Sequence, residues 1–316
     1  GERVQKLWLA GLEKTSGTGE SRLPANCTTF GAADTWGLGF VAQSSAMAAI
    51  GPFLFIALRF TIAFFAMLPL AIREGASAER TLERRDWAVF AGIGAILFAG
   101  MTAQQTGLLT TSVTNSGFLT GLYLIMVPFL AVALFREWPH RVVWPSAATA
   151  LFGIYLLSGG HLDKLASGDW LTILCALFWA LQILFISRFA NHTARPVTLS
   201  VVQFAATALL AAPFALLFEP LDGTAIVLAA PELLFAGVIA GGLAFTLQSV
   251  GQRHASAPQA AIILSSEALF AALFGALLLG ERLSMMALFG CALIFAAMLA
   301  VELVPMLAKR TEQLTP

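Results

Sequence analysis

Most of the charge in this 316-residue chain lies at its two ends and in short joins between stretches of about twenty apolar residues. At 1.5 Å rise per residue, roughly 20 apolar residues cross a hydrocarbon core of about 30 Å as one helix. Ten such stretches can be read, at 27–47, 51–73, 86–107, 112–134, 141–159, 168–190, 197–218, 230–250, 257–279 and 284–304. The joins carry Pro, Gly or charge, as in IGPF, REGASAERTLERRD, REWPHR, NHTARP and GERLS, and none is long enough to hold an extramembrane domain. Only 11% of residues are charged, against about 25% in soluble domains. That supply cannot cover a water-facing surface, so soluble globular and disordered classes are excluded. Nucleic-acid binding is excluded too, because 18 Lys and Arg balance 18 Asp and Glu. The fold class expected is an all-α integral membrane protein.

The positive charges predict how the spans run. With a cytoplasmic N-terminus, fifteen of the 18 Lys and Arg fall inside, Lys164 and Arg282 fall outside, and Arg59 lies within a span. The positive-inside rule then puts both termini in the cytoplasm. Residues 1–22 resemble neither a signal peptide nor a span, and are read as a tail of which an expression scar could supply part. A second tail is expected over 307–316.

The chain also reads as two copies of one unit, over 23–160 and 161–306. At an offset of 144, Pro52 falls on Pro196, Phe60 on Phe204, Pro69 on Pro213, Gln104 on Gln248, Gly107 on Gly251 and Glu137 on Glu281. With one residue of slippage, Trp36 falls on Trp179. Five spans per unit is an odd number, so the second copy enters the membrane from the other side. The expectation is ten transmembrane helices as two inverted five-helix repeats, an architecture used by alternating-access carriers.

A family resemblance rests on these same residues. TWGLGFVAQ (35–43), ALRFTIAFF (57–65), LYLIMVPFLAVALFREW (122–138) and SSEALFAALFGALLLGERLS (265–284), in that order, make the chain similar to the drug/metabolite transporter superfamily, EamA type. The resemblance covers about residues 27–304 and implies export of amino acids, other small metabolites or drugs across the bacterial inner membrane. Two positions depart from the family pattern. Asp34 stands where an apolar residue is expected, and the Glu-Pro step of the ninth span is here Glu267-Ala268, with consequences for how that span bends.

Ionisable residues inside a span are costly and need a reason. Asp34, Arg59 and Glu267 qualify. Asp34 and Arg59 lie on spans joined by a tight turn and are expected to pair. Arg59 reads either as a helix brace or as a contact for a substrate carboxylate. Glu267 has no cationic neighbour in sequence and falls near the membrane centre, with Tyr123 as its repeat partner. Trp36 and Trp179 also fall near the centre, where a Trp faces protein or a cavity rather than lipid. Together these predict a pocket with aromatic walls and a few polar contacts, to which Thr120, Gln182, Ser265 and Ser266 could add hydrogen bonds. Towards the ends, Gln104, Gln105, Asn115 and Ser116 mirror Gln248, Ser249, Gln252 and Gln259. Gln104, Asn115, Gln248 and Gln259 are therefore candidate gates, the alternative being polar caps at helix ends. The pairs Gly117/Gly121 and Gly237/Gly241 suggest close helix contacts.

Catalytic and metal signatures are missing. His140, His161, His192 and His254 lie at loops or span ends without ligand spacing, and Cys27, Cys175 and Cys291 stand apart in apolar runs. No nucleotide-binding loop is present, so neither an enzyme nor a primary pump is expected, and no metal or cofactor. The expected partners are a small-molecule substrate and the lipid bilayer. The function expected is secondary transport or facilitated export of small amphipathic metabolites, amino acids first, aromatic or bulky apolar ones favoured. Multidrug or organic-cation efflux stays open through Glu267. Organophosphate or nucleotide-sugar antiport is harder to serve, because a phosphate calls for several cations and one is embedded. An intramembrane enzyme or a scaffold is the remaining alternative outside transport.

Overall fold

A computed structural model of the chain describes residues 32, 50–78, 80–111, 113–159, 166–270 and 283–314, with the side chains at 113–115, 302 and 306–314 outside that description. The described elements are all helical. They are α1 (Pro52–Ala76), α2 (Arg84–Leu108), α3 (Val113–Thr120), α4 (Tyr123–Phe135), α5 (Val143–Leu157), α6 (Ser167–Thr193), α7 (Pro196–Phe218), α8 (Gly223–Leu228), α9 (Ala230–Leu234), a π-helix (Phe235–Leu243), α10 (Ala244–Gln252), α11 (Ala257–Leu264) and α12 (Met285–Leu314). Seven segments among the described residues are long and apolar enough to cross a membrane, and α5 is a shorter apolar helix. The first expected span, with Asp34 and Trp36, lies outside the described residues except for Ala32, as do 271–279 of the ninth.

Sequence chemistry sets the helix ends. Pro52 and Pro196 each open a helix at its first turn, where a missing N–H costs nothing. The Asp86 and Asp169 side chains accept the N–H groups of Glu83 and Ala166, so each acid closes its helix back onto the preceding loop. Large apolar side chains such as Phe65, Leu209, Leu217 and Phe218 are exposed along the helices, as a lipid-facing surface requires. Trp87, Trp138 and Trp170 are exposed near helix ends, at the level where an aromatic belt meets the headgroups.

The centre of the described fold is the antiparallel pair α1 and α7. Glu219, just past α7, accepts the N–H groups of Phe53 and Leu54 at 2.8 and 2.7 Å. Glu74, near the end of α1, accepts those of Val197 and Thr198 at 3.0 and 2.7 Å, together with the Thr198 hydroxyl at 2.6 Å. Each helix thus supplies a carboxylate to the unsatisfied first turn of the other, where the N–H groups and the helix dipole both favour an anion. Gly51 is required here, because a Cβ at that position would run into the Glu219 carboxylate.

Two spans are broken at matching places. α3 ends at Thr120 and α4 begins at Tyr123; α11 ends at Leu264, Ser265 forms a turn, and helix resumes at 266. The offset of 144 carries Val113–Thr120 onto Ala257–Leu264, and Tyr123 onto Glu267. At the second break no proline is needed. The hydroxyls of Ser265 and Ser266 bond back to the carbonyls of Ile262 and Ile263 at 2.6 and 2.7 Å, occupying the acceptors that the interrupted ladder leaves free. The expected small-residue contacts divide. Gly237 packs against Ile62 and the Arg59 carbonyl, and Gly241 approaches Ala63. Gly121 sits at the first break against Ile154, while no described residue comes within 4 Å of the position a Cβ would take at Gly117.

Candidate functional site

Arg59 lies seven residues past Pro52 on α1 and is buried. Its side chain is held on several sides. Nε donates to the Ala236 carbonyl at 3.1 Å, and the guanidinium carbon lies 5.9 and 5.4 Å from the rings of Phe55 and Phe60. Ala236 belongs to the π-helix, and the small residues Gly237 and Gly241 let that segment close on α1. π-Helical turns occur disproportionately at functional sites. Across the site, Glu267 is near enough to Arg59 for the two charges to act on each other, and it acts on Tyr123 as well. The two residues are more than 200 positions apart in sequence, and the break in the ninth span lies just before Glu267. The expected Asp34–Arg59 pair lies outside the described residues.

Trp179 stands on α6 between the two largest apolar clusters and packs against both. Its ring stacks on Phe245 at 5.7 Å and 12°. One turn further along each helix come Gln182 and Gln248, whose side chains are joined. Gln248 Nε2 donates to Gln182 Oε1 at 3.2 Å, and Gln182 Nε2 donates to Gln203 Oε1 at 3.4 Å. The next contact towards the same end is Ser200 Oγ donating to Ser249 Oγ at 2.9 Å. The three glutamines are fully buried and link α6, α7 and α10.

Beyond this amide layer, at the face that carries most of the described arginines, a cavity of about 950 Å³ opens. Arg80, Asp86, Glu137, Arg188, His192 and His254 line its mouth, and Leu184 and Ser187 on α6 lie towards the amides. Arg188 pairs with Glu137 and lies 4.4 Å over the Phe135 ring; Arg80 bonds Asp86 at 3.3 Å and the His192 carbonyl at 3.4 Å. The mouth therefore carries both signs of charge. His254 is held below its ordinary pKa by partial burial and then by the neighbouring Arg253, so it is neutral near pH 7.

The sequence-derived site divides accordingly. Arg59, Tyr123 and Glu267 form one electrostatic group, and Trp179 and Gln182 join the aromatic and amide layers. The Thr120 hydroxyl is buried at the end of α3 with no hydrogen bond to another described group. Ser266 spends its hydroxyl on the helix break. Gln248 is part of the amide layer, while Gln104 is buried on α2. Gln259 accepts from Ser256 Oγ at 2.8 Å and so serves as a helix cap. Trp36 and the side chain of Asn115 lie outside the described residues. Sequence reading passed over Gln203, although the same offset of 144 that pairs the repeats makes it the counterpart of Arg59. It also passed over Glu74 and Glu219, which an offset of 145 relates.

Comparison with protein families matches the EamA-like transporter family twice, over residues 23–159 and 166–303. Among curated proteins, an uncharacterized transporter of Archaeoglobus fulgidus is 32% identical over 272 residues, which are 85% of this chain and 82% of that protein. A solved crystal structure, 22% identical, superposes with a TM-score of 0.76 over 92% of this chain and 100% of its own, a likeness of fold alone.

Proposed function

This chain belongs to the EamA-like transporter family, and on that premise we propose that it is a secondary carrier or facilitator exporting small amphipathic metabolites, amino acids first. The observation that supports the substrate class is that Glu267 acts electrostatically on both Arg59 and Tyr123 within the spans. One positive and one negative side chain in a low-dielectric site complement a zwitterion, whose carboxylate and ammonium replace the water each charge has lost. The Trp179–Phe245 stack offers a flat apolar wall, which favours aromatic or bulky apolar side chains. Trp36, Thr120, Gln182 and Ser266 complete the pocket in this reading, with Gln104, Asn115, Gln248 and Gln259 as gates.

Alternating access is the mechanism we favour. The matching breaks in two spans, the mutual caps of α1 and α7, and the paired family matches all support ten spans in two inverted repeats over 23–160 and 161–306. Carriers built this way bind at the midplane beside discontinuous helices and rock one half against the other. The open cavity on the arginine-rich face corresponds to a cytoplasm-facing state of an inner-membrane protein with both termini inside.

Uptake into liposomes tests the function. The purified protein should move aromatic amino acids in preference to nucleotide sugars or organic cations, run with and without a pH gradient. Preferential uptake of either rival class would replace the amino-acid reading. Glu267→Gln that transports normally with an unchanged pH profile would make the acid structural and the protein a passive facilitator. For orientation, cysteines placed at Lys164 and Arg282 should react with an impermeant thiol reagent from outside intact cells, and those at Arg84 and Arg195 only after lysis.

A further inference from the structure

The buried amides between the cavity and the aromatic stack are joined in one direction only, and this leaves a distinctive pair of loose ends. Gln248 donates to Gln182 and Gln182 donates to Gln203. Among the described residues, Gln203 Nε2 at one end has no acceptor, and Gln248 Oε1 at the other has no donor. Both residues are 0% exposed. Beside them Gln252, also fully buried, has neither amide atom bonded, and the Ser187 hydroxyl towards the cavity is unpartnered as well. An unmet buried donor or acceptor forfeits its full solvation, so each of these groups gains from a ligand that can meet it.

The placement is as informative as the chemistry. Gln203 lies seven residues past Pro196, as Arg59 lies seven past Pro52. The antiparallel α1 and α7 therefore carry two polar stations at equal depth from opposite faces, one charged and one built of amides. On α6 the order from the cavity inwards is Ser187, Leu184, Gln182, Trp179. On α10 it is His254 just beyond the helix, then Gln252, Gln248 and Phe245. A molecule entering from the cavity meets the amide layer before the aromatic wall or the charges.

We propose that Gln203, Gln248 and Gln252 form a first binding station for the polar head of the substrate, with Gln203 Nε2 donating to its carboxylate and Gln248 Oε1 accepting from its ammonium. Gln252 supplies a further donor and acceptor on the cavity side. The station holds the head group while the side chain reaches the Trp179–Phe245 stack, and the head group then moves on to Arg59 and Glu267. This rests on the amino-acid reading above and adds the residues that select the substrate in the cavity-open state.

The test uses the full chain in liposomes, with phenylalanine as the probe. Gln203→Met and Gln248→Met each remove one loose end at nearly constant volume. Each should raise the KM for phenylalanine about tenfold, the loss expected for a hydrogen bond to a charged group, with kcat within about twofold. Gln203→Asn and Gln248→Asn should restore part of the affinity. Should a Met variant fail to fold by thermal melting, Gln203→Glu removes the loose donor at constant shape and should raise the KM in the same way. Gln248→Glu, by contrast, keeps an acceptor for the ammonium and should not raise it; equal effects of the two overturn the station. An unchanged KM in folded variants overturns the station and leaves the transport reading standing. So does a fall in kcat at constant KM without rescue by Asn, which marks a bracing role. Wild-type protein that does not take up phenylalanine overturns the amino-acid reading, and this inference with it.

Discussion

Buried polarity is handled in opposite ways at the ends and in the middle of the α1–α7 pair. At the ends, Glu219 accepts two backbone N–H groups and Glu74 accepts two and a hydroxyl. Further in, Gln203 and Gln248 keep a donor and an acceptor unused among the described residues, and Arg59 and Glu267 act on each other electrostatically. The ends hold the structure; the middle is where we propose that the ligand binds. Satisfied buried polar groups rigidify, and unsatisfied ones are costs retained for a reason.

That contrast can be broken most forcefully at Arg59. Arg59→Met removes the positive charge that acts on Glu267 together with the Nε bond to the Ala236 carbonyl. We expect the single variant to melt well below wild type. The double variant Arg59→Met, Glu267→Gln should recover much of that loss while remaining inactive in uptake. A single variant as stable as the double one would mean that the two charges do not support each other. The aromatic wall comes next. Trp179→Ala, and Trp36→Ala in the other half, should abolish uptake or change substrate preference at normal membrane levels, with Phe at either position retaining part. Stability must be followed separately, since truncating a packed Trp can itself cost about 3–5 kcal/mol. Wild-type selectivity in both Ala variants would reduce the tryptophans to helix packing.

Smaller effects sharpen the other side of the comparison. Glu219→Ala and Glu74→Ala should each cost about 1–2 kcal/mol by thermal melting, as lost helix caps do, with the KM for substrate unchanged. Glu74→Ala should be the more damaging, because Thr198 loses a hydroxyl contact as well. Equal losses would show that the hydroxyl contributes nothing. The smallest effect belongs to His254. Its folded-state pKa lies below the unfolded value, so between the two the unfolded chain binds more protons and stability falls as the pH drops through that window. His254→Gln should flatten melting temperature against pH just below the ordinary histidine range and change nothing above it.

Much of the fold was legible because a membrane span is written locally. The proline starts at Pro52 and Pro196, the ends of the long helices and the embedded Arg59 and Glu267 all stand in single stretches of sequence. What a single stretch does not contain is which groups meet. Glu267 has no base in its own neighbourhood, and only the packing of distant spans brings Arg59 within reach. The π-helical stretch of the eighth span was equally silent, since Phe235–Leu243 reads as an ordinary apolar run with three glycines. Gln259, a candidate gate by depth and polarity, also caps α11 through its bond to Ser256, a contact that depth does not reveal. Gln203 carried a usable signal, its repeat relation to Arg59, which a search confined to charged residues overlooks.

The mutual caps also bear on how the protein is made. Leu54 and Glu219 are 165 residues apart, and Thr198 waits 124 residues beyond Glu74. At a synthesis rate of about 5–20 residues per second, roughly 8–33 s separate the emergence of the α1 N-terminus from that of the carboxylate that closes it. Throughout that interval the first half stands in the bilayer with its α1 N–H groups unmet by protein, supported by interfacial water or by whatever assists insertion. Assembly of the pair therefore begins only when the seventh span arrives, and the chain matures as one unit rather than half by half.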